Sequence, residues 1–353
     1  MHFVKRMKAA KIYRPGDLQL EESDLPKPEE GELLLKVRAC GICASDLKIL
    51  SGDFPGIKYP IVPGHELSGE VVALGPRVQG FELKDRIAVE PHSGCGQCTN
   101  CMKGEYTACL NYGKMGKSIG QTANGGFAEF CAVPIRCAHK FPETISFDEA
   151  ALVSNAGTSL HGLERAGVEP GDTVVVFGPG AIGLTAVQAA KSIGAAEVIS
   201  IGREKDVFRL DLAKKLGADV MINADREDPL KRILELTSNR GADLAVEATG
   251  AIDVANQAIA VVRRRGRVLI LSNYGANRNG TINLSKVMLD SIDMIGSRGS
   301  AKWSCERALK LIKEGKMDLR PLVTQTYSLD EIRKGFDLFA GGTGNVIRVV
   351  IRP

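Results

Sequence analysis

The sequence predicts a two-domain α/β protein in which a β-rich unit precedes a doubly wound parallel sheet. Three observations carry this expectation. The chain has 353 residues, more than one hydrophobic core supports at about 150 residues per domain. Between residues 31 and 141, short strand-like runs are broken by Gly and Pro with no long helical period. From Asp172 onward, apolar strands alternate with amphipathic helices, the rhythm of parallel strands joined by helical crossovers.

In the first unit the strands are expected at residues 32–39, 67–74, 86–90 and 126–133. In the second, strand 173–177 leads into helix 181–193, strand 197–201 into helix 207–216, and strand 220–222 into helix 229–237. A strand at 244–247, a helix near 254–262 and a strand at 267–271 continue the series. After about residue 295 the pattern changes to helices at 304–313 and 329–339 and a last strand at 345–351. Such a tail either stands alone or returns to the first unit.

Composition narrows the function. Apolar residues make up 44% and charged residues 25%, and no apolar run is long enough to cross a bilayer, so no membrane-spanning role is expected. Forty-six Lys and Arg against forty-two Asp and Glu leave +4. The basic residues are scattered apart from Arg263, Arg264, Arg265 and Arg267, which is no nucleic-acid footprint. Residues 1–11 lack the apolar core of a secretory signal, so the chain is expected in the cytoplasm. Nine cysteines, an odd number in a reducing compartment, favour metal ligands and free thiols over disulfides.

Gly178, Gly180 and Gly183 form GPGAIG between the strand TVVVF and a helix. The first glycine permits a tight turn, the second lets amides approach a pyrophosphate and the third packs helix on strand, so a nicotinamide dinucleotide is expected. About twenty residues on, where an acid would read the ribose hydroxyls, stand Gly202 and Arg203. An arginine pairs with a 2′-phosphate, which favours NADP(H) over NAD(H); Glu204, one residue further, is the alternative reader of the ribose. Cys95, Cys98, Cys101 and Cys109 give CxxCxxCx7C, a spacing that places four thiolates around one structural zinc. Four thiolates also suit iron.

GICASD (residues 41–46) and GHELSGEVVALGPRV (64–78), followed by the cysteine lobe and GPGAIG in that order, resemble the zinc-dependent medium-chain alcohol and polyol dehydrogenases, sorbitol and threonine dehydrogenases among them. The resemblance covers nearly the whole chain. It implies a GroES-like catalytic domain over 1–153 with a zinc lobe at 92–112, a Rossmann domain over 154–296 and a return segment, 297–353, completing the catalytic domain. The active site would lie in the cleft between them. Cys43 and His65 would bind a catalytic zinc with Glu66 beside it, and Ser45 would pass the substrate proton outward. Thr158 matches a residue that contacts the nicotinamide, and Arg348 one that reaches the cofactor pyrophosphate.

Two departures stand out. The family's third zinc ligand falls on Ser154, a neutral side chain, so either Glu66 moves onto the metal or the site binds zinc weakly. Lys48 occupies the place of a relay histidine and is expected to be an exposed charge. His161 is expected to pack, while His2, His92 and His139 carry no motif. Cys40, Cys131, Cys137 and Cys305 lack ligand spacing and are expected as buried thiols.

The expected activity is hydride transfer between a secondary alcohol or ketone and NAD(P), on a small polar alcohol, polyol or sugar, by a homodimer or homotetramer. Two other readings compete: a reductase keeping only the structural zinc, which Ser154 keeps open, and a non-catalytic nicotinamide-binding sensor. Retention of Cys43, Ser45, His65 and Glu66 together argues against the sensor.

Overall fold

The computed structural model describes residues 6–275, 279–342 and 345–353, the side chain of Lys302 apart. His2 lies outside the described residues.

The β-rich unit is organised around the strand Glu32–Gly41, whose Leu33, Leu34, Leu35 and Val37 are all buried. A run apolar on both faces belongs in the middle of a covered sheet. This strand sits centrally in a seven-stranded sheet, paired antiparallel with Glu66–Leu74 and with Phe130–Pro134. The tail returns here. Arg348–Arg352 runs antiparallel to Glu32–Gly41, with Val350 opposite Gly41 and Ile351 opposite Cys40, and Val323–Ser328 closes that edge.

Two expectations need correction in this unit. An eight-residue helix, Ala44–Ser51, interrupts it, and two turns are too short to show a period in the sequence. The strand expected at 126–133 begins only at Phe130, because residues 125 and 126 are drawn onto a loop. The Gly125 amide donates to Val62 and the Gly126 amide to Gly64, and a Cβ on Gly125 would stand 2.1 Å from the Gly64 carbonyl oxygen.

The second unit is a six-stranded, wholly parallel sheet in the order Val220–Asn223, Glu197–Gly202, Thr173–Phe177, Ala242–Glu247, Val262–Ile270, Asp293–Gly296. Strand order reverses between Thr173–Phe177 and Ala242–Glu247, and a crevice opens at such a switch point. The helix Val153–Arg165 leads from the first unit into this sheet and packs on Ala181–Ile193, where Ser159 and Thr185 hydroxyls meet at 2.8 Å. The arginine cluster is structural: Arg263 pairs with Asp243 at 2.6 Å and Arg267 with Asp172 at 2.7 Å. Among the described residues no helix is long and apolar enough to cross a membrane.

Candidate active site and metal centres

The ends of two neighbouring strands of the first sheet, with Gly41 directly opposite Glu66, meet at the cleft between the units. Cys43 caps the helix Ala44–Ser51, while His65 precedes, and Glu66 opens, the strand Glu66–Leu74. Gly64 allows the approach: its φ is 93°, and a Cβ there would stand 2.7 Å from Cys40 Sγ and 2.9 Å from the Phe127 amide. Fully buried Asp46 ties the segments together, accepting from the Cys43 amide at 2.8 Å and the Gly64 amide at 3.2 Å. Its Oδ1 also lies 3.5 Å from His65 Nδ1, at the edge of hydrogen-bond range, and among the described residues Nδ1 has no closer partner. Nε2 of the same ring lies 3.3 Å from Ser45 Oγ.

Cys43 Sγ, a His65 ring nitrogen and a Glu66 oxygen lie within 4.8 Å of one another, a donor set that fits one tetrahedral zinc with a position left open. Burial alone would push the His65 imidazole down, yet the Asp46 charge and hydrogen bond, with Cys43, hold it well above its ordinary value. The surroundings therefore favour positive charge at the place where a cation would sit.

Arg348, expected to reach a cofactor pyrophosphate, lines the same cleft as Gly180, is 5% exposed and forks onto Glu66, with Nε 2.9 Å from Oε2 and Nη2 2.9 Å from Oε1. Glu66, 2% exposed, needs that partner, because an unpaired buried carboxylate is costly. Burial alone would raise the Glu66 carboxyl; the charges of Arg348 and His65 outweigh it and hold the group below its ordinary range. Ser154 is buried and lines the cleft, and Thr158 Oγ1 donates back to the Ser154 carbonyl at 2.8 Å. Lys48 is not a free surface charge, since its ammonium donates to the Asn273 carbonyl across the cleft.

The cleft, about 730 Å³, is also lined by side chains that no motif announced, among them Asn155, His92, Gln121, Tyr274 and Arg298. His92 is buried against Glu90, with Nδ1 3.4 Å from Oε1. No ligand spacing marks either residue in the sequence. His161 packs edge-on against Trp303, as expected. Cys40, Cys131, Cys137 and Cys305 are buried thiols.

The glycine turn has room for a dinucleotide. Gly178 adopts φ 93° and would meet Thr249 Cγ2 at 2.6 Å with a Cβ, and a Cβ on Gly183 would stand 1.9 Å from the Gly178 carbonyl oxygen. Gly180 faces open space, with nothing within 4 Å, and caps the thirteen-residue helix Ala181–Ile193 with no side chain over its first amides. At the end of the second strand a Cβ on Gly202 would lie 3.0 Å from Pro179, 3.1 Å from Asp206 and 3.2 Å from Leu210, so no carboxylate fits without rearrangement. Glu204 is taken by Asn223 at 2.7 Å and by Arg226 at 2.5 Å. Arg203 gives its Nε to Asp225 at 3.0 Å and keeps its side chain 67% exposed.

In the lobe, the sulfurs of Cys95, Cys98, Cys101 and Cys109 also lie within 4.8 Å of one another. Donors surround them. Cys95 Sγ accepts from the Cys98 amide at 3.4 Å and Asn111 Nδ2 at 3.3 Å, and Cys109 Sγ from the Cys95 amide at 3.2 Å. The Gln97 amide and then Asn111 draw the Cys95 thiol down to about 6, whereas burial pushes Cys101 up to about 12. Such a cage suits thiolates held by a metal.

The alcohol dehydrogenase GroES-like domain model matches residues 29–143, and the zinc-binding dehydrogenase model residues 181–314. A sorbitol dehydrogenase of Halalkalibacterium halodurans is 33% identical over 339 residues, 96% of each chain. A zinc-binding dehydrogenase from Sinorhizobium meliloti bound to NADP superposes with a TM-score of 0.89 at 28% identity, covering 99% of both chains. An alcohol dehydrogenase from Escherichia coli complexed with NADH gives 0.89 at 26% identity, covering 99% of this chain and 100% of the other. With its GroES-like and Rossmann units and both cysteine-bearing centres in place, the chain belongs to the zinc-type medium-chain alcohol and polyol dehydrogenases and is a nicotinamide-linked enzyme of that family.

Proposed function

We propose that the chain interconverts a secondary alcohol of a small polyol or sugar and the matching ketone, using NADP(H) and a zinc held by Cys43, His65 and Glu66. The observation that carries this reading is the convergence of those three donors within 4.8 Å in the cleft that the glycine turn also lines. When bound, the two groups supply Lewis acidity to the hydroxyl oxygen and a hydride acceptor for the carbon.

The remaining steps belong to the chain's own residues. Ser45 Oγ, beside His65, takes the substrate hydroxyl proton outward. Asp46 keeps the Cys43 and His65 segments in register, and Arg348 balances Glu66. Thr158 has spent its hydroxyl hydrogen on Ser154, so its oxygen is left to accept from the nicotinamide carboxamide. The open amides at Gly180 receive the pyrophosphate.

Relatives bind either NADP or NADH, so the preference must come from this chain. Crowding at Gly202, the engagement of Glu204 by Arg226 and the exposed guanidinium of Arg203 all favour the 2′-phosphate. The sorbitol dehydrogenase relative supports a polyol substrate. The sheet that each strand joins supports boundaries near residues 153 and 296, with the helix Lys302–Lys313 still packed on the core of the second unit. Nine cysteines, none of them in a disulfide, suit a cytoplasmic setting. Exposed Leu284, Met288 and Leu289 beside the open edge strand Asp293–Gly296 support a dimer or tetramer.

Metal analysis with a polyol and sugar panel, following NADPH and NADH formation, tests the proposal. Two zinc ions per chain and turnover with NADP favoured are expected. Tight NADPH binding without turnover of any alcohol would favour the sensor reading.

A further inference from the structure

We propose that Asn155 is a positioning residue for the cleft metal centre, its carbonyl occupying a guanidinium hydrogen that would otherwise turn onto the Cys43 sulfur. This rests on the reading of Cys43, His65 and Glu66 as metal donors.

Asn155 lies in the first turn of the helix Val153–Arg165, is 3% exposed and lines the cleft next to Ser154. Its Oδ1 accepts from Arg348 Nη2 at 2.8 Å. That nitrogen carries two hydrogens. One goes to Glu66 Oε1 at 2.9 Å; the other faces a choice between Asn155 Oδ1 at 2.8 Å and Cys43 Sγ at 3.8 Å. The amide oxygen is closer and is the better acceptor, so the bond to the sulfur stays long and weak.

The orientation of the amide follows from the same contact. A guanidinium only donates, so Oδ1 must face it and Nδ2 must turn away. Nδ2 is buried with no hydrogen-bond partner within 3.5 Å among the described residues, although the amide lies near enough to Glu66 to help hold its carboxyl low. Packing alone does not call for an asparagine there; an acceptor for Arg348 does.

The choice matters because Ser154 contributes no charge. Cys43 and Glu66 are the anionic donors of the cluster, and one guanidinium contacts both. An N–H···S bond drains charge from a thiolate and weakens it as a ligand. Asn155 limits Arg348 to Glu66, where the fork uses lone pairs on one side of the carboxylate and leaves others for the metal.

Cobalt titration of the full-length protein, with the cysteine lobe kept zinc-loaded, tests this by affinity and by the thiolate-to-cobalt charge-transfer band. Asn155→Leu should bind cobalt about tenfold more weakly and move the band to higher energy, the signature of a strengthened N–H···S bond. Asn155→Asp, whose carboxylate accepts the same hydrogen, should keep the wild-type band. Asn155→Ser, too short to reach Nη2, should behave as the leucine variant and covers a folding failure of the latter. Wild-type affinity and an unshifted band in both Asn155→Leu and Asn155→Ser would overturn the proposal. Wild-type protein that takes up no cobalt beyond the lobe would instead overturn the donor-set reading beneath it.

Discussion

The cysteine lobe and the cleft cluster are built on opposite plans. The lobe draws four sulfurs from residues 95–109 and holds them with amides of its own loop. The cleft cluster joins residue 43 to residues 65 and 66, is braced by Asp46 and depends on Arg348, 282 residues from Glu66. A local site is fixed by its own turn and loses its shape with its metal. A distributed site is fixed by the fold, so its donors stay in place when the metal leaves, and chemistry rather than folding should suffer.

That contrast is broken most severely at Glu66. Glu66→Gln should lower kcat/KM by about a hundredfold and remove the cleft metal while the lobe keeps its own. It also strands the Arg348 guanidinium, at a cost of about 3 kcal/mol in stability. Metal analysis paired with denaturant unfolding separates the two effects. An active variant retaining both metals would place Glu66 outside the donor set.

Cys98→Ser probes the other plan. One zinc per chain and several kcal/mol of stability should be lost, whereas the cleft metal should survive in whatever fraction remains folded. Iron in place of zinc at the lobe would change the metal but not this outcome.

These two sites also show what was legible in the sequence. CxxCxxCx7C and TVVVF-GPGAIG declare themselves because their parts are adjacent, and spacing alone encodes the geometry. The pairing of Ile351 with Cys40 cannot be seen that way, since a strand carries no mark of a partner 311 residues off. Resemblance implied that the tail returns to the first unit, and its last strand does join that sheet, but it gave no sign that Arg348 meets Glu66, because family membership does not specify which buried anion a guanidinium will meet. Asn155 gave no signal at all, and Lys48 only its place in the family pattern: each meets a partner brought up by the fold, Arg348 and Asn273.

Smaller effects sharpen the comparison within the coenzyme unit. Arg203→Ala should raise the KM for NADP(H) about tenfold, the worth of roughly 1.4 kcal/mol, and leave NAD(H) unchanged. Equal effects on both would show that Arg203 does not read the phosphate. Gly202→Asp is a poorer probe, since the crowding against Pro179, Asp206 and Leu210 couples any change of preference to strain.

Asp243 offers a pH test unconnected to either metal. Burial would raise its carboxyl, but hydrogen bonds from Arg240, Arg263 and the Thr173 amide hold it well below the usual range. Its stabilisation is therefore complete above the unfolded value, about 4, and is lost as pH falls toward the depressed folded value. Asp243→Asn should cost about 2 kcal/mol near neutrality, with the gap from wild type narrowing in acid. A gap independent of pH would contradict the assignment. Ser154→Ala should change least, leaving the metal content and kcat/KM near wild type.

The most direct test of the account is to strip the cleft metal with a chelator mild enough to spare the lobe, then count zinc and assay the same sample. One zinc per chain, a folded protein with its cleft intact, no dehydrogenase turnover, and recovery of activity and a second zinc on adding metal back are expected. Full activity at one zinc per chain would contradict it and identify a reductase that works without metal in the cleft.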